Sequence, residues 1–140
     1  VTFLLLMNYF RPTARILIEQ PTSSWMYKQT RMLEAISRWK VKKYLTYMGS
    51  WGAPLMKGTH LMSNFSCSAI VRKATKSLRE TVAKRLKTLN EKRLAKGLPA
   101  TEFWVRDRRG KFHGGKDLSS TAIYPQRFAT AILKEWERSL

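Results

Sequence analysis

A short apolar run that ends at a proline constrains the fold more than any other feature of this sequence. Three apolar residues at 16–18 run directly into Glu19-Gln20-Pro21. A continuous run of β-branched residues and leucine is typical of a strand that is buried on both faces, as in parallel sheets. Pro21 has no N–H for a sheet ladder, so we expect a central strand over 15–19 that ends there. Glu19 and Gln20 then lie at its carboxyl end, the edge where open α/β sheets bind ligands.

The segments that follow alternate between helical and extended patterns. Apolar residues recur at helical spacing over 28–39 and predict an amphipathic helix. Residues 41–48 alternate between two faces, which favours a strand, and a loop with two glycines and a proline follows at 49–54. A third strand is predicted over 59–65. This strand–helix–strand–strand order predicts an α/β fold in which residues 1–70 form a partial, half-Rossmann-like core.

A strongly basic helix dominates the second half of the chain. Over 68–96 a narrow apolar stripe repeats at helical spacing, and lysines and arginines occupy most of the other positions. Such a stripe predicts a helix that packs one side on the body and exposes the others. Gly97 and Pro99 are expected to end this helix.

The remaining segments predict a hairpin and a last helix. Residues 101–107 and 111–113 flank Arg108-Arg109-Gly110, as the two strands of a β-hairpin flank their turn. The pattern after Pro125 predicts a C-terminal helix. We expect residues 71–140, which comprise the basic helix, the hairpin and this last helix, to pack on the core within a single domain.

The charge of the chain implies an anionic partner. The sequence has 27 lysines and arginines against nine acidic residues, a net charge of +18. This is far above the magnitude of about 2–8 that solubility requires. Nucleic acid, an acidic protein surface or anionic lipid would each neutralise such a surface. Residues 2–9 are predicted to form the last turns of a buried helix that ends at Arg11-Pro12, with a strand as the alternative. This apolar start is shorter than the roughly 20 residues of a membrane span. We therefore expect no transmembrane span within this chain. We also expect an intracellular location, but the sequence does not specify the compartment.

The sequence contains few residues suited to catalysis or to binding a metal or a cofactor. We therefore predict no catalytic residue, no metal site and no cofactor. Cys67, His60 and His113 are too few for a metal site of standard type, and Cys67 is interpreted as a small buried side chain. Two glycine-containing segments, at 49–52 and 114–116, do not fit phosphate-binding fingerprints and are interpreted as turns. Glu19 either holds a substrate by hydrogen bonds or, as we favour, accepts from backbone amides of the turn at 23–24.

Basic and aromatic residues interleave in the predicted hairpin. A basic hairpin with aromatic side chains can lie along RNA or single-stranded DNA through phosphate contacts and stacking. The other interpretation, that Phe103 and Val105 pack while the arginines stay solvated, is equally open. The residues expected to contact an acidic partner are Arg72, Lys73, Arg79, Lys84, Arg85, Lys87, Lys92, Arg93, Arg106, Arg108, Arg109 and Lys111, and Glu19 with Gln20 forms a candidate vestigial site.

Three blocks of the sequence carry a resemblance to a known group. They are Glu19-Gln20-Pro21 with Ser23-Ser24, Gly49-Ser50-Trp51-Gly52-Ala53 with Lys57-Gly58-Thr59, and Gly114-Gly115-Lys116-Asp117-Leu118 with Tyr124-Pro125. Together they resemble a group of proteins abundant in dinoflagellates. More distantly, the first two blocks resemble the second half of cytosine-C5 DNA methyltransferases, with Glu19 at the position of their glutamate. The chain lacks the Pro-Cys nucleophile and the glycine-rich cofactor loop of those enzymes, so the resemblance implies fold and not activity.

Three functions follow as hypotheses. The first is a non-catalytic, strongly basic structural or docking subunit that binds an acidic surface in a large protein or ribonucleoprotein assembly, such as a plastid photosynthetic complex or a ribosome-like particle. The second is direct binding of nucleic acid through residues 79–93 and the hairpin at 103–112. The third is a fragment of a methyltransferase that binds a cofactor near Glu19.

Overall fold

Three antiparallel strands form the central sheet. The structure is a computed structural model that describes residues 9–140, apart from the side chain of Ala122. Strands β1 (Leu17–Pro21) and β2 (Lys42–Tyr47) both pair with β3 (Gly58–Ser63), which lies between them. Helix α1 (Thr30–Arg38) connects β1 to β2. The strand–helix–strand–strand order and the mixed α/β fold are therefore confirmed.

The expected pairing of these strands is wrong. Both β1 and β2 run antiparallel to β3, with Glu19 opposite Leu61 and Tyr44 opposite the same Leu61. The parallel neighbours typical of a Rossmann-like sheet are thus not formed by β1, β2 and β3. Strand β1 lies at an edge of the sheet and is half-buried along its length, so it is not the central strand. Antiparallel neighbours need no crossover between β2 and β3, and the short loop between them is sufficient.

The strand that is buried on both faces is β3. Leu61 and Met62 point to opposite faces, yet they are 0% and 1% exposed. On the Leu61 side lies the main core, and on the Met62 side the ring of Tyr27 contacts His60 with 5.5 Å between the centroids. Helix α1 buries Met32 and Ala35. The central role that the sequence assigned to β1 therefore belongs to β3.

Residues from both halves of the chain build the main core. Helix α3 (Gln126–Glu137) contributes Phe128, which is 1% exposed and contacts residues that come from the first 70 positions. Pro125 precedes its first residue, as predicted. The thiol of Cys67 is buried, as predicted, and burial raises its pKa. The buried members of this core are Met48, Leu61, Phe65, Cys67, Ile70 and Phe128.

Helix α2 (Lys76–Leu94) packs one side on the body, as predicted from its narrow stripe. Val82 is buried, and it lies so close to Gly49 that a Cβ added there would be 2.5 Å from its Cγ2. Gly49 therefore permits the close approach of α2 to the turn at Met48–Trp51. The predicted hairpin is also present, as β4 (Trp104–Arg106) and β5 (Phe112–Gly114). The predicted N-terminal helix lies outside the described residues, apart from Tyr9.

Candidate functional site

The hairpin presents two aromatic rings and an arginine on one exposed face. Trp104 lies opposite Gly114 and Arg106 lies opposite Phe112, so the side chains of Trp104, Arg106 and Phe112 point to the same side. Trp104 and Phe112 are 57% and 65% exposed. The Arg106 guanidinium lies over the Phe112 ring, 5.8 Å from its centroid, within cation–π range. We call these three residues the aromatic face.

Asp107 organises the turn of the hairpin. Its Oδ1 accepts from the N–H groups of Arg109 at 2.8 Å and Lys111 at 2.9 Å, and its Oδ2 contacts His113 Nε2 at 2.8 Å. These hydrogen bonds hold the pKa of Asp107 below its usual range, and the bond with His113 has the largest effect. Gly110 has φ +79°, the left-handed conformation that closes such a loop. The turn therefore fixes the position from which Arg108 and Arg109 extend.

The base of the hairpin is fixed to the body and to α2. Gly115 donates its N–H to Phe103 O at 2.8 Å, and Phe103 is itself buried. A Cβ on Gly115 would clash with the backbone of Glu102, so this glycine permits close packing of the two segments. Gly114, interpreted from the sequence as part of a turn, is instead the last residue of β5. Asn90 Oδ1, on α2, accepts from the N–H of Thr101 at 2.9 Å. The segment that leads into the hairpin is therefore in contact with α2 at Asn90.

Four of the twelve predicted partner-binding residues have structural contacts. The guanidinium of Arg72 donates to Ala69 O and Val71 O and lies 4.6 Å from the Trp51 ring centroid. Arg85 Nη1 donates to Gly49 O at 2.6 Å, Arg93 Nε donates to Pro99 O at 2.8 Å, and Arg106 Nε donates to Gly110 O at 3.1 Å. These contacts hold neighbouring segments together, although Arg72 and Arg106 remain exposed.

The other eight predicted cations are exposed. Among the described residues the one carboxylate that pairs with the charged group of any of them is Glu91, whose Oε1 is 3.9 Å from Lys87 Nζ. Helix α2 has seven basic and two acidic residues, so its solvent side is strongly positive. The eight exposed side chains are Lys73, Arg79, Lys84, Lys87, Lys92, Arg108, Arg109 and Lys111.

A groove of about 650 Å³ adjoins the aromatic face. Trp104 belongs to both, because its ring stands on the aromatic face and also lines the groove. The other walls come from the end of β1, the start of β3 and the segment after the hairpin. The three sequence blocks singled out above, far apart along the chain, thus meet at this groove. Its lining residues are Pro21, Thr22, Ser23, Leu55, Met56, Lys57, Gly58, Trp104, Leu118 and Thr121.

Lys57 is a half-buried cation between this groove and a second cavity of about 250 Å³, which it also lines. Its Nζ donates to Thr121 O at 3.5 Å and lies 5.0 Å from the centroid of the Tyr124 ring. It forms no ion pair with any carboxylate of residues 9–140. Lys57 is not among the binding residues predicted from the sequence, although it belongs to the second of the three blocks.

Glu19 and Gln20 do not form one site, because neighbouring residues of a strand point to opposite faces. Gln20 Oε1 accepts from Ser24 Oγ at 3.0 Å. Ser24 donates its N–H to Pro21 O, so the expected bond from this amide to Glu19 is not made. Glu19 Oε1 is buried with no hydrogen-bond partner among the described residues.

Two tyrosine hydroxyls are affected by the Glu19 carboxylate. Burial, and then the charge of Glu19, raise the pKa of Tyr27 to about 12. Burial, and then a hydrogen bond with Glu19, raise the pKa of Tyr124 above its usual range. The candidate vestigial site is therefore a buried polar contact between β1 and the segment before α3, and it offers no second carboxylate for acid–base chemistry.

In the part of the chain that the structure describes, no helix is both long enough and apolar enough to cross a bilayer. Comparisons of the chain with family models, with curated proteins and with solved structures gave no match. The resemblances to the dinoflagellate group and to DNA methyltransferases therefore stay predictions. The function must be argued from the aromatic face, the basic helix and the groove themselves.

Proposed function

We propose that this chain is a non-catalytic, strongly basic subunit that binds an unpaired stretch of nucleic acid within a larger assembly. The observation that carries the proposal is the aromatic face of the hairpin. Nucleobases without a pairing partner expose flat apolar surfaces, and proteins bind them by stacking aromatic side chains and arginine guanidinium groups against them. Trp104 and Phe112 supply two aromatic rings and Arg106 a guanidinium group, all on one side of a two-stranded ribbon.

The stacking surface is available without any rearrangement. Both aromatic rings are more than half exposed, and Trp104 stands opposite a glycine, which covers none of it. A hairpin built only for stability would bury these rings, because burying a large apolar side chain contributes about 1.5–3 kcal/mol. Their exposure on one face is therefore better explained by a partner that covers them.

The cations around the aromatic face suit a phosphate backbone. Arg108, Arg109 and Lys111 occupy and follow the hairpin turn, and the exposed lysines of α2 extend the positive surface from the base of the hairpin. Each phosphate neutralised on a single strand contributes about −0.7 to the slope of log affinity against log salt. The three cations of the hairpin alone therefore predict a slope of about −2.

A direct test measures binding of a labelled 15-nucleotide single strand by fluorescence anisotropy over a series of salt concentrations. Two unlabelled competitors separate the contributions: a polymer of abasic sugar-phosphate, which keeps the charge but has no bases, and polyglutamate. We expect the 15-mer to bind with a slope of −2 or steeper, and the abasic polymer to compete at least roughly ten-fold more weakly, because stacking contributes about 1–3 kcal/mol per base. Absence of binding at low salt refutes the proposal.

A second candidate is docking on an acidic protein surface in a large assembly, for example a plastid photosynthetic complex. The solvent side of α2 favours it, because exposed lysines without neighbouring aromatic rings pair with carboxylates as readily as with phosphates. The same competition separates the two candidates. If polyglutamate and the abasic polymer compete as well as the 15-mer does, the docking function is supported and the nucleic-acid function is not.

A further inference from the structure

We infer that the groove receives one nucleotide of the bound strand, with its base against Trp104 and its phosphate at Lys57. The inference rests on the proposed function and adds a specific site to it. Trp104 is the link, because the same indole stands on the aromatic face and in the wall of the groove. A base that stacks on Trp104 is therefore adjacent to the groove.

The walls of the groove suit a nucleobase. Its volume of about 650 Å³ lies within the roughly 300–1,000 Å³ that is usual for small-molecule sites. Leu55, Met56 and Leu118 provide apolar contact for the faces of a base. The residues that end β1 add the hydroxyl groups of Thr22 and Ser23, which can donate to and accept from its polar edge.

Lys57 supplies the positive charge that such a nucleotide requires. Lys57 is half-buried, and its Nζ contacts a carbonyl oxygen and the face of the Tyr124 ring, neither of which neutralises its charge. A partly desolvated cation without an ion-pair partner among residues 9–140 is stabilised by an anion that enters beside it. A lysine, as a compact charge on a flexible stem, is a common phosphate ligand.

The test compares Lys57→Met with Lys42→Met as a matched control. Both substitutions remove one positive charge, but Lys42 is exposed and pairs with Ser63 at the far end of β3, about 17 Å along the strand from Gly58. For the 15-mer we expect K57M to make the salt slope shallower by about 0.7 and to lower affinity several-fold, and K42M to change neither appreciably. Lys57→Arg, which keeps the charge, should bind as the unsubstituted protein does. Thermal unfolding of each variant verifies that it is folded.

The outcomes distinguish this inference from the proposed function. If the protein binds the 15-mer but K57M and K42M have equal effects, or if K57R fails to restore binding, the groove site is refuted while the hairpin function stands. If the unsubstituted protein does not bind, both are refuted. Uridine monophosphate is tested in parallel. If it binds as tightly as the 15-mer and depends on Lys57, the groove is a site for free nucleotides and the assignment to a strand is wrong.

Discussion

Removing the indole of Trp104 should weaken binding of a single strand without destabilising the fold. Trp104 is 57% exposed and lies opposite Gly114, so Trp104→Ala removes little packing within the hairpin. Base–aromatic stacking contributes about 1–3 kcal/mol by alanine substitution. Somewhat less than half of Trp104 is already covered by the protein, and the covered part is not available to a base. We therefore expect W104A to lower the binding free energy by an amount near the lower end of this range, about 1–1.5 kcal/mol. This corresponds to a loss of affinity of about five- to ten-fold.

Trp25 provides a matched control for this substitution. It is 74% exposed and has a lysine beside it, with Lys28 Nζ 4.3 Å from the ring centroid, but it lies in the turn before α1 and not on the hairpin. Trp25→Ala removes the same aromatic area and should weaken binding less than W104A does, because Trp25 is neither on the hairpin nor among the residues that line the groove. Phe112→Ala should weaken binding as W104A does.

The assay is anisotropy with the labelled 15-mer at one fixed low salt concentration, together with the salt slope of each variant. Loss of a stacking contact lowers affinity and leaves the slope unchanged, because no phosphate contact is removed. Equal affinities for W104A and W25A refute the stacking argument. A slope that becomes shallower in W104A contradicts it too, because the ring then acts by positioning Arg106 and its neighbours.

Three further predictions concern the supports of the site. Burial and the charge of Glu19 raise the pKa of Tyr27 to about 12, so in an absorbance titration of the folded protein its phenol should ionise at higher pH than an ordinary tyrosine. The contribution of Tyr27 to stability should be lost as pH rises from about 10 to 12. Tyr27→Phe should remove this late ionisation step, while the step of Tyr124 remains. Asp107→Asn weakens the bonds that close the turn, so amide exchange in the hairpin should accelerate while the rest of the chain is unchanged, and acidification through the lowered pKa of Asp107 should act in the same direction. Gly49→Ala places a Cβ 2.5 Å from Val82 Cγ2 and should lower the free energy of unfolding by about 1–3 kcal/mol in a denaturant titration, with a smaller cost when Val82→Ala is already present.

Elements whose signals are local were predictable from the sequence. The hairpin follows from a glycine that adopts positive φ between two extended runs, and the structure places Gly110 at φ +79° in that turn. Helix α2 ends at Leu94, shortly before the predicted stop at Gly97, whose φ is +69°. These features depend on a few neighbouring residues, and the sequence shows those residues directly.

The pairing of the strands was not predictable in the same way. Three apolar residues at 16–18 fit a strand buried on both faces, but only Ile16 among them is buried, and it precedes β1. Its N–H donates to Asn64 Oδ1 at 2.9 Å, a contact across 48 residues. Periodicity describes which faces of one strand are apolar, and it contains no information on which partner strand supplies the hydrogen bonds or in which direction that partner runs.

The groove was missed for a related reason. Its walls come from three distant segments, and none of them has a pattern that indicates a ligand by itself. The sequence placed a candidate ligand edge at the end of β1 and assigned it to Glu19 and Gln20. The groove lies just beyond that edge, at Pro21 and the two residues after it, while Glu19 is directed to Tyr124. The groove is therefore next to the predicted edge, but it is lined by residues other than Glu19 and Gln20.

Under the proposed function, the different roles of the predicted cations account for how one surface attracts a strand and also positions it. All four residues with structural contacts are arginines, whose planar guanidinium groups donate to carbonyl oxygens in fixed directions. The exposed cations of α2 are mostly lysines, which remain strongly hydrated and act as point charges. Lysines of this kind raise the rate and the salt dependence of association but do not set its geometry.

The geometry must then come from the aromatic face, whose rings are held by the Asp107 turn and the buried Phe103, and from Lys57 in the groove. Substitutions on α2 should therefore change affinity and salt slope for every strand alike, whereas substitutions at the hairpin or at Lys57 should also change how the protein distinguishes a strand with bases from one without.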